Sequence, residues 1–236
     1  MIELIVYPKS GKEELINPSP FCSKTEIFLK LAKIDYTVTE FNGNPGQFPN
    51  GKLPVIKHDG KVIADSSFIQ TYLEDKFQVN LDKKLSDQEK AQGFAFVKMI
   101  EEYFYWSILH ERWLIDQNWQ KLKIDFFSHI PGLIRGLITS MIRKGVKKSA
   151  LGHGMARHSD DEVLEIGRQC IRAIANFLNE KNFLLGETIS SYDTSVYAFV
   201  SSILHSELGP ELRLEAQLHK NLINYDQRMF ETVFKA

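Results

Sequence analysis

The chain has few cysteines, almost no net charge and no long apolar run. Its 236 residues include only Cys22 and Cys170, too few and too far apart for a disulfide framework or a cysteine-rich zinc site. A net charge of −1 and a pI of about 6.7 give no general attraction to nucleic acid. No stretch offers the roughly 20 apolar residues of a membrane-spanning helix, and no basic leader is visible. We therefore expect a cytoplasmic protein without a nucleic-acid or metal partner.

The first part of the chain predicts alternating strands and helices. Short apolar or β-branched runs predict strands at residues 2–7, 36–41, 54–58 and 62–64. Helices are predicted from Ser19-Pro20 to about Lys33 and from Asp65 or Ser66 to about Phe77. The resulting order, β-α-β followed by β-β-α, predicts a parallel first pair of strands and an antiparallel hairpin at Asp59-Gly60.

Strand signals stop after a polar linker at residues 78–86. Ser86 and Glu89 have the spacing of a capping box, which marks the start of a helix. Helical periodicity then covers residues 87–117, 120–146, 159–180, 190–206, 211–220 and 221–230. The sequence therefore predicts an α/β domain over residues 1–78 and an all-helical domain over residues 87–236.

Ser19 is the first residue with a candidate chemical role, because Ser19-Pro20-Phe21-Cys22 stands at a junction of loop and helix. A helix N-terminus carries partial positive charge, so a thiolate held there is stabilised. The Ser19 hydroxyl could donate a hydrogen bond to such a thiolate on a ligand, or Ser19 could simply cap the helix. Cys22 is either a small buried apolar residue or a redox-active thiol.

Two further motifs have the chemistry of a peptide-binding site. A proline at the start of an inner strand, as in Leu53-Pro54, is either an ordinary trans proline at a strand edge or a cis proline. A cis bond would present the backbone of Leu53 to an extended ligand. Asp65 and Ser66 either cap the next helix or bind the ammonium and carboxylate groups of an amino-acid head group.

The order and spacing of these motifs resemble the glutathione transferase superfamily. The resemblance rests on Ser19 to Lys24, Gly51 to Pro54 and Asp65 to Ile69, together with Ser190 and Asp193, which resemble that superfamily's buried capping box. Three further runs, at residues 103–113, 152–159 and 221–229, resemble the failed-axon-connections family, which is related to the metaxins. The resemblance implies a thioredoxin-like N-terminal domain, an all-α C-terminal domain and a homodimer.

The resemblance also implies a role for each motif in binding glutathione. Ser19 would lie beside the glutathione thiol, and Leu53, with Pro54 cis, would pair with the cysteinyl backbone. Lys52 would lie near the glycine carboxylate. Asp65 and Ser66 would hold the γ-glutamyl end. Tyr7 is the alternative thiol-activating residue, although the long loop at residues 8–18 makes Ser19 the better candidate.

Two features of the second domain suggest further contacts. Tyr103, Trp106, His110 and Trp113 are spaced on one helix face, which either walls a pocket for an apolar second substrate or packs between the domains. Residues 130–158 contain six basic and no acidic residues, interleaved with apolar ones. This segment is either a solvated helix edge or a weak contact with an anionic membrane surface or acidic partner.

Three functions are compatible with the sequence. In the first, the protein conjugates or reduces small hydrophobic electrophiles with glutathione, whose thiolate Ser19 stabilises. In the second, it is a non-catalytic, metaxin-like module that binds protein or membrane, as residues 130–158 suggest. The third, a Cys22-dependent thiol reductase, is disfavoured because a serine stands at the first position of the helix turn.

Overall fold

A four-stranded mixed sheet forms the first part of the molecule. The computed structural model describes residues 1–9, 16–128 and 130–235, so residues 10–15 of the predicted loop lie outside the described residues. The strands are β1 (Ile2–Val6), β2 (Tyr36–Glu40), β3 (Val55–His58) and β4 (Lys61–Ala64). Their order is β2-β1-β3-β4, with β1 parallel to β2 and the other pairs antiparallel. The predicted parallel pair and hairpin are confirmed.

Two helices cover the apolar residues of this sheet. They are α1 (Pro20–Leu31) and α2 (Ser66–Phe77), and they bury Phe28 and Ile69 against Leu4 and Ile56 of the sheet. Between β2 and β3 the chain forms two short 3₁₀ turns, Pro45–Gln47 and Pro49–Gly51, instead of a full helix. Glycine and proline are poor residues for a helix interior, and their density here accounts for the missing helix.

The rest of the described chain is helical. The helices are α3 (Asp87–Lys98), α4 (Tyr105–Trp113), α5 (Asp116–Phe127), α6 (Gly132–His153), α7 (Asp160–Leu178), α8 (Tyr192–Leu204), α9 (Pro210–Gln217) and α10 (Lys220–Phe234), with a π-helical segment (Met99–Phe104) joining α3 to α4. The predicted capping box is confirmed, since Ser86 and Glu89 exchange side-chain and backbone hydrogen bonds at the start of α3. Within the described ranges, no helix has both the length and the apolarity to cross a bilayer.

The prediction of one helix over residues 120–146 was wrong. The structure divides this stretch into α5 and α6, with Pro131 between them in an extended conformation (φ −53°, ψ 134°). Proline cannot donate an intrahelical hydrogen bond, and it disfavours helical geometry in the residue before it. Helix α6 also extends beyond residue 146, to the point where Gly154 adopts a φ of +107°.

Helix α8 is the centre of the helical core and depends on a buried carboxylate. Asp193 accepts hydrogen bonds from the Leu184 N–H (2.8 Å), from the Ser190 N–H (2.9 Å) and hydroxyl (2.7 Å), and from the Tyr225 hydroxyl (3.0 Å). The predicted capping pair of Ser190 and Asp193 is therefore confirmed. Ile27 of α1 also belongs to this core, which joins the sheet part of the molecule to the helices.

Glu111 and Arg112 are buried charges that tie α4 to its neighbours. The Glu111 carboxylate accepts the Glu211 N–H at 2.8 Å near the start of α9. The Arg112 guanidinium donates to the Ser202 carbonyl at 2.7 Å and to the Pro18 carbonyl at 3.5 Å. Burial raises the pKa of Glu111 to about 7, although the backbone N–H groups at α9 and the nearby Arg112 oppose the shift.

We predict that Glu111 makes the folded protein lose stability as pH rises. The ordinary pKa of a glutamate is 4.5, and that of Glu111 in the folded state is about 7, so the folded state holds its proton more tightly than the unfolded chain does. The resulting contribution to the free energy of unfolding is fully present below pH 4.5 and is lost as pH rises through 7. The loss is at most about 3 kcal/mol. Urea unfolding at pH 5 and pH 8 should show a smaller pH dependence for Glu111→Gln than for the wild type. Equal pH dependence in the two proteins would contradict this assignment.

Candidate functional site

Three of the predicted binding segments meet at one end of the sheet. Ile5 pairs with Val55, and Val55 pairs with Ala64, so these three residues form a row across β1, β3 and β4. Just beyond this row lie the end of β1, the Leu53-Pro54 peptide that precedes β3, and Asp65, which follows β4. The fold therefore brings together residues that are up to 60 positions apart in sequence.

Ser19 occupies the N-cap position of α1, but its side chain makes no capping hydrogen bond. The buried Asn17 side chain holds it beside the end of β1. The Asn17 amide nitrogen donates to the Tyr7 carbonyl at 2.8 Å, and its oxygen accepts the Ser19 N–H at 3.0 Å. The Ser19 hydroxyl is thus positioned at the helix start without being used as a cap. Asn17 was missed in the sequence, where it looked like an ordinary loop residue.

Cys22 is fully buried in the first turn of α1. Burial raises the pKa of its thiol to about 12, and hydrogen bonds from the Tyr7 backbone and the Ser19 side chain only partly oppose this. A thiol with such a pKa is almost entirely protonated at neutral pH and is a weak nucleophile. The structure therefore favours the interpretation of Cys22 as a small buried apolar residue over that of a redox-active thiol.

We predict that neither cysteine of the folded protein reacts with iodoacetamide at neutral pH. Cys170 is also buried, and burial raises the pKa of its thiol to about 11. Mass spectrometry should find no label in the native protein and two labels after denaturation. Rapid labelling of Cys22 in the native state would contradict the burial argument and revive the thiol-reductase hypothesis.

Tyr7 lies directly after β1, close to the same end of the sheet. Burial raises the pKa of its phenol to about 12, Cys22 and Tyr105 add to the shift, and a hydrogen bond with the Leu53 backbone opposes it. The phenol is therefore protonated at neutral pH and faces the Leu53 backbone. Tyr7 is thus a neighbour of the candidate site, and its competing role as thiol activator stays a prediction.

The Leu53-Pro54 peptide bond is cis. The local sequence did not decide between a cis and a trans bond, whereas the family resemblance implied the cis form. Leu53 and Pro54 are buried at the start of β3, and Lys52 before them is exposed. The backbone of Leu53 therefore stands at the inner edge of the site, with the exposed Lys52 next to it in the chain.

Asp65 and Ser66 form the start of α2. Asp65 has a φ of +75°, which is uncommon for any residue except glycine and is often found at functional sites. Its carboxylate accepts the Ser67 N–H at 2.9 Å. Ser66 is buried at the first position of the helix, where backbone N–H groups are not used inside the helix. This end of α2 therefore combines an exposed carboxylate with N–H donors suited to an anion.

A buried ion pair ties this region to the helical part. The Lys24 ammonium lies 2.7 Å from the Glu101 carboxylate and 3.2 Å from the Ser67 hydroxyl. Glu101 also accepts the Ser195 hydroxyl at 2.8 Å from α8. Glu101 belongs to the π-helical segment, a type of distortion that is frequent at functional sites. The pair positions α1 and α2 against the second domain, and no local sequence pattern predicts it.

The predicted aromatic face begins in the π-helical segment and continues along α4, with Tyr103 and Trp106 on one side. Trp106 stacks on His153 at the end of α6, with ring centroids 4.5 Å apart. Tyr103 is 46% exposed beside His153 and Met155. These contacts place both side chains next to the end of α6.

His110 and Trp113 continue the same face toward other partners. The His110 Nε2 atom lies 2.7 Å from an Asp160 carboxylate oxygen, and Trp113 stacks on Trp119 of α5 at 5.6 Å. The four predicted residues therefore contact three different helices, α5, α6 and α7. Their role as walls of a second-substrate pocket stays a prediction.

Tyr105 is the aromatic residue of α4 that faces the start of α1. Its ring contacts Phe21 edge to face, with centroids 5.1 Å apart, and it interacts electrostatically with Tyr7 and Arg112. Sequence spacing does place Tyr105 and Arg112 on one face of α4. Tyr105 was not predicted as a site residue, because the neighbouring helix face, with Tyr103, Trp106 and Trp113, carries more aromatic residues.

Two family models match the chain. The glutathione S-transferase N-terminal domain matches residues 20–119, and the glutathione S-transferase C-terminal domain matches residues 167–229. Isoprene-epoxide–glutathione S-transferase of Rhodococcus sp. (strain AD45) is 33% identical over 226 residues, which cover 89% of this chain and 91% of that protein.

More distant relatives extend the similarity to the branch suggested by the sequence. Failed axon connections of Drosophila melanogaster is 27% identical over 244 residues, which cover 98% of this chain but 58% of that protein. Metaxin-1 of Mus musculus is 27% identical over 217 residues, which cover 84% of this chain and 68% of that protein.

Solved structures share the fold at low sequence identity. A glutathione transferase from Phanerochaete chrysosporium has a TM-score of 0.66 at 15% identity, covering 97% of this chain and 95% of that one. A Ceriporiopsis subvermispora glutathione S-transferase in complex with glutathione has a TM-score of 0.60 at 18% identity, covering 99% and 96%. These likenesses concern the architecture, and they agree with the thioredoxin-like domain followed by helices.

Proposed function

The chain belongs to the glutathione S-transferase superfamily, in the branch that contains the metaxins, and we propose that it binds glutathione and transfers it to a small hydrophobic electrophile. The observation that carries this proposal is the Ser19 hydroxyl. It stands at the start of α1 without a capping role, beside the end of the sheet where Leu53-Pro54 and Asp65-Ser66 meet. By analogy with the superfamily, we also propose a homodimer. Two unpaired cysteines support the proposal of a cytoplasmic protein.

Each part of glutathione has a chemical counterpart in the proposed site. The exposed Asp65 carboxylate, which also accepts the Ser67 N–H, suits the γ-glutamyl ammonium, and Ser66 at the N-terminus of α2 suits the adjacent carboxylate. The backbone of Leu53 suits the cysteinyl amide. The exposed Lys52 suits the glycine carboxylate. We place the glutathione thiol beside Ser19, because the Ser19 hydroxyl stands at the start of α1 and makes no capping hydrogen bond.

The proposed chemistry requires a thiolate and no protein base. The glutathione thiol loses its proton to solvent, and the Ser19 hydroxyl donates a hydrogen bond that stabilises the resulting thiolate. The sulfur then attacks an electrophilic carbon. For an epoxide, the class named in the Rhodococcus relative, a sulfur–carbon bond forms, a carbon–oxygen bond of the ring breaks, and the released alkoxide takes a proton from water.

Calorimetric titration with glutathione and S-methylglutathione tests the binding proposal. We expect both ligands to bind, because they share the γ-glutamyl, cysteinyl-backbone and glycine groups and differ only in the methyl group that replaces the thiol proton. We expect Asp65→Ala and Ser66→Ala to weaken both. A Leu214→Ser variant, altered at an exposed position of α9, is the matched control and should bind like the wild type. If neither ligand produces heat at millimolar concentration, the glutathione proposal is wrong.

A non-catalytic, metaxin-like role is the second candidate. It is favoured by one structural observation, the exposed apolar and basic face of α6. The two candidates differ in a simple result. A binding module would show no conjugation of glutathione to any epoxide in a substrate screen, even if glutathione bound.

A further inference from the structure

Helix α6 presents an apolar ridge to solvent. Leu133, Leu137 and Met141 follow one another at a spacing of four residues, which places them on one side of the helix, and they are 102%, 67% and 65% exposed. Ile134 beside them is 48% exposed. Exposed apolar side chains are ordinary when scattered, but a continuous ridge of this kind marks an interaction surface.

Two arginines hold the opposite side of α6 against the rest of the chain. Among its residues only Thr139 and Ala150 are buried. Arg135 donates to the Ser128 carbonyl at 2.7 Å, and Arg143 donates to the Trp113 carbonyl at 2.9 Å. Helix α6 is therefore anchored to the rest of the chain through this side, and its apolar ridge stays exposed to solvent.

Three lysines continue this surface toward the end of the helix. Lys144 and Lys148 follow Leu137 and Met141 on the same side, and Lys147 lies next to them, all three exposed. Residues 130–158 contain no acidic residue. In the part of the chain that the structure describes, none of the three lysines forms an ion pair. The surface is thus apolar at one end and positively charged at the other.

We propose that this surface of α6 binds reversibly to an anionic lipid bilayer. The apolar ridge would enter the boundary between head groups and acyl chains, and the lysines would meet the negative head groups. A second copy of the chain fits less well, because the facing α6 would bring like charges and no carboxylate to neutralise them. The proposal is independent of glutathione binding, since it uses residues of α6 alone.

Vesicle flotation of the full chain tests this proposal directly. We expect the protein to float with phosphatidylcholine vesicles containing phosphatidylserine at low salt, and to float less at high salt or without phosphatidylserine. The variant Lys144→Glu/Lys147→Glu/Lys148→Glu should bind at least tenfold more weakly. Leu133→Ser/Leu137→Ser should also bind more weakly, because less apolar surface enters the bilayer.

The matched control is Leu214→Ser/Leu218→Ser, which alters two exposed leucines of α9 and the residue that follows it. It should float like the wild type. Circular dichroism and glutathione titration of every variant would show that the fold is retained. Absence of flotation with phosphatidylserine vesicles at low salt, or equal flotation of the lysine variant, would overturn the proposal. A second result would also overturn it. If the wild type bound no vesicles and Leu133→Ser/Leu137→Ser changed from dimer to monomer, the surface of α6 would be a contact between two copies of the chain.

Discussion

Replacing Ser19 by alanine is expected to lower kcat/KM for glutathione conjugation about a hundredfold, or roughly 3 kcal/mol of transition-state stabilisation. The hydroxyl is the proposed donor to the thiolate, and Asn17 holds its backbone in place. The loss should appear mainly in kcat. Binding of glutathione should change little, because the proposed contacts at Leu53, Asp65 and Ser66 are unaltered.

Two matched variants separate this effect from a general disturbance of α1. Thr25→Val removes a buried hydroxyl whose hydrogen bond goes to the Phe21 carbonyl within the same helix, and it should keep wild-type activity. Cys22→Ala should also keep most of the wild-type activity, because the Cys22 thiol that it removes is protonated and takes no part in the proposed chemistry. If Ser19→Ala retained full activity while Tyr7→Phe lost it, the thiolate would be stabilised by Tyr7 and the assignment of Ser19 would be wrong.

The second large effect is expected at Asp193. Asp193→Ala should lower the free energy of unfolding by about 4 kcal/mol, because it leaves several buried donors without an acceptor. These donors are the N–H groups of Leu184 and Ser190 and the hydroxyls of Ser190 and Tyr225. Asp193→Asn should have an intermediate effect, since an amide keeps one acceptor oxygen.

Urea unfolding at neutral pH measures this loss. Asp82→Ala is a useful comparison, because Asp82 also accepts a serine N–H and hydroxyl, both from Ser191, at 2.7 and 2.6 Å, but is only half-buried. We expect that variant to lose about 1 kcal/mol. A loss below 1 kcal/mol for Asp193→Ala would show that the carboxylate network does not stabilise the core as described.

The sheet and its two helices were predictable because their signals are local. Asp59 and Gly60 both adopt positive φ in the hairpin that their sequence predicts. By contrast, the cis bond before Pro54 was not decided by the neighbouring residues, and only the resemblance to a known superfamily implied it.

The contacts between the two domains could not be read from the sequence. Lys24 and Glu101 are separated by 77 residues, and either would be read as an ordinary surface charge on its own helix. Periodicity correctly placed Tyr103 and Trp106 on one face of a helix. It could not show that Trp106 stacks on the end of α6 or that Tyr105 faces α1, because both facts depend on how the helices pack.

The pKa of the glutathione thiol in the complex reports directly on the hydrogen bond that we assign to the Ser19 hydroxyl. It can be measured by titrating the ultraviolet absorbance of the thiolate, with the wild type and Ser19→Ala compared side by side. We expect a thiol pKa well below that of free glutathione in the wild type, and a return toward the free value in the variant. An unshifted pKa in a wild-type protein that binds glutathione would contradict the role assigned to Ser19.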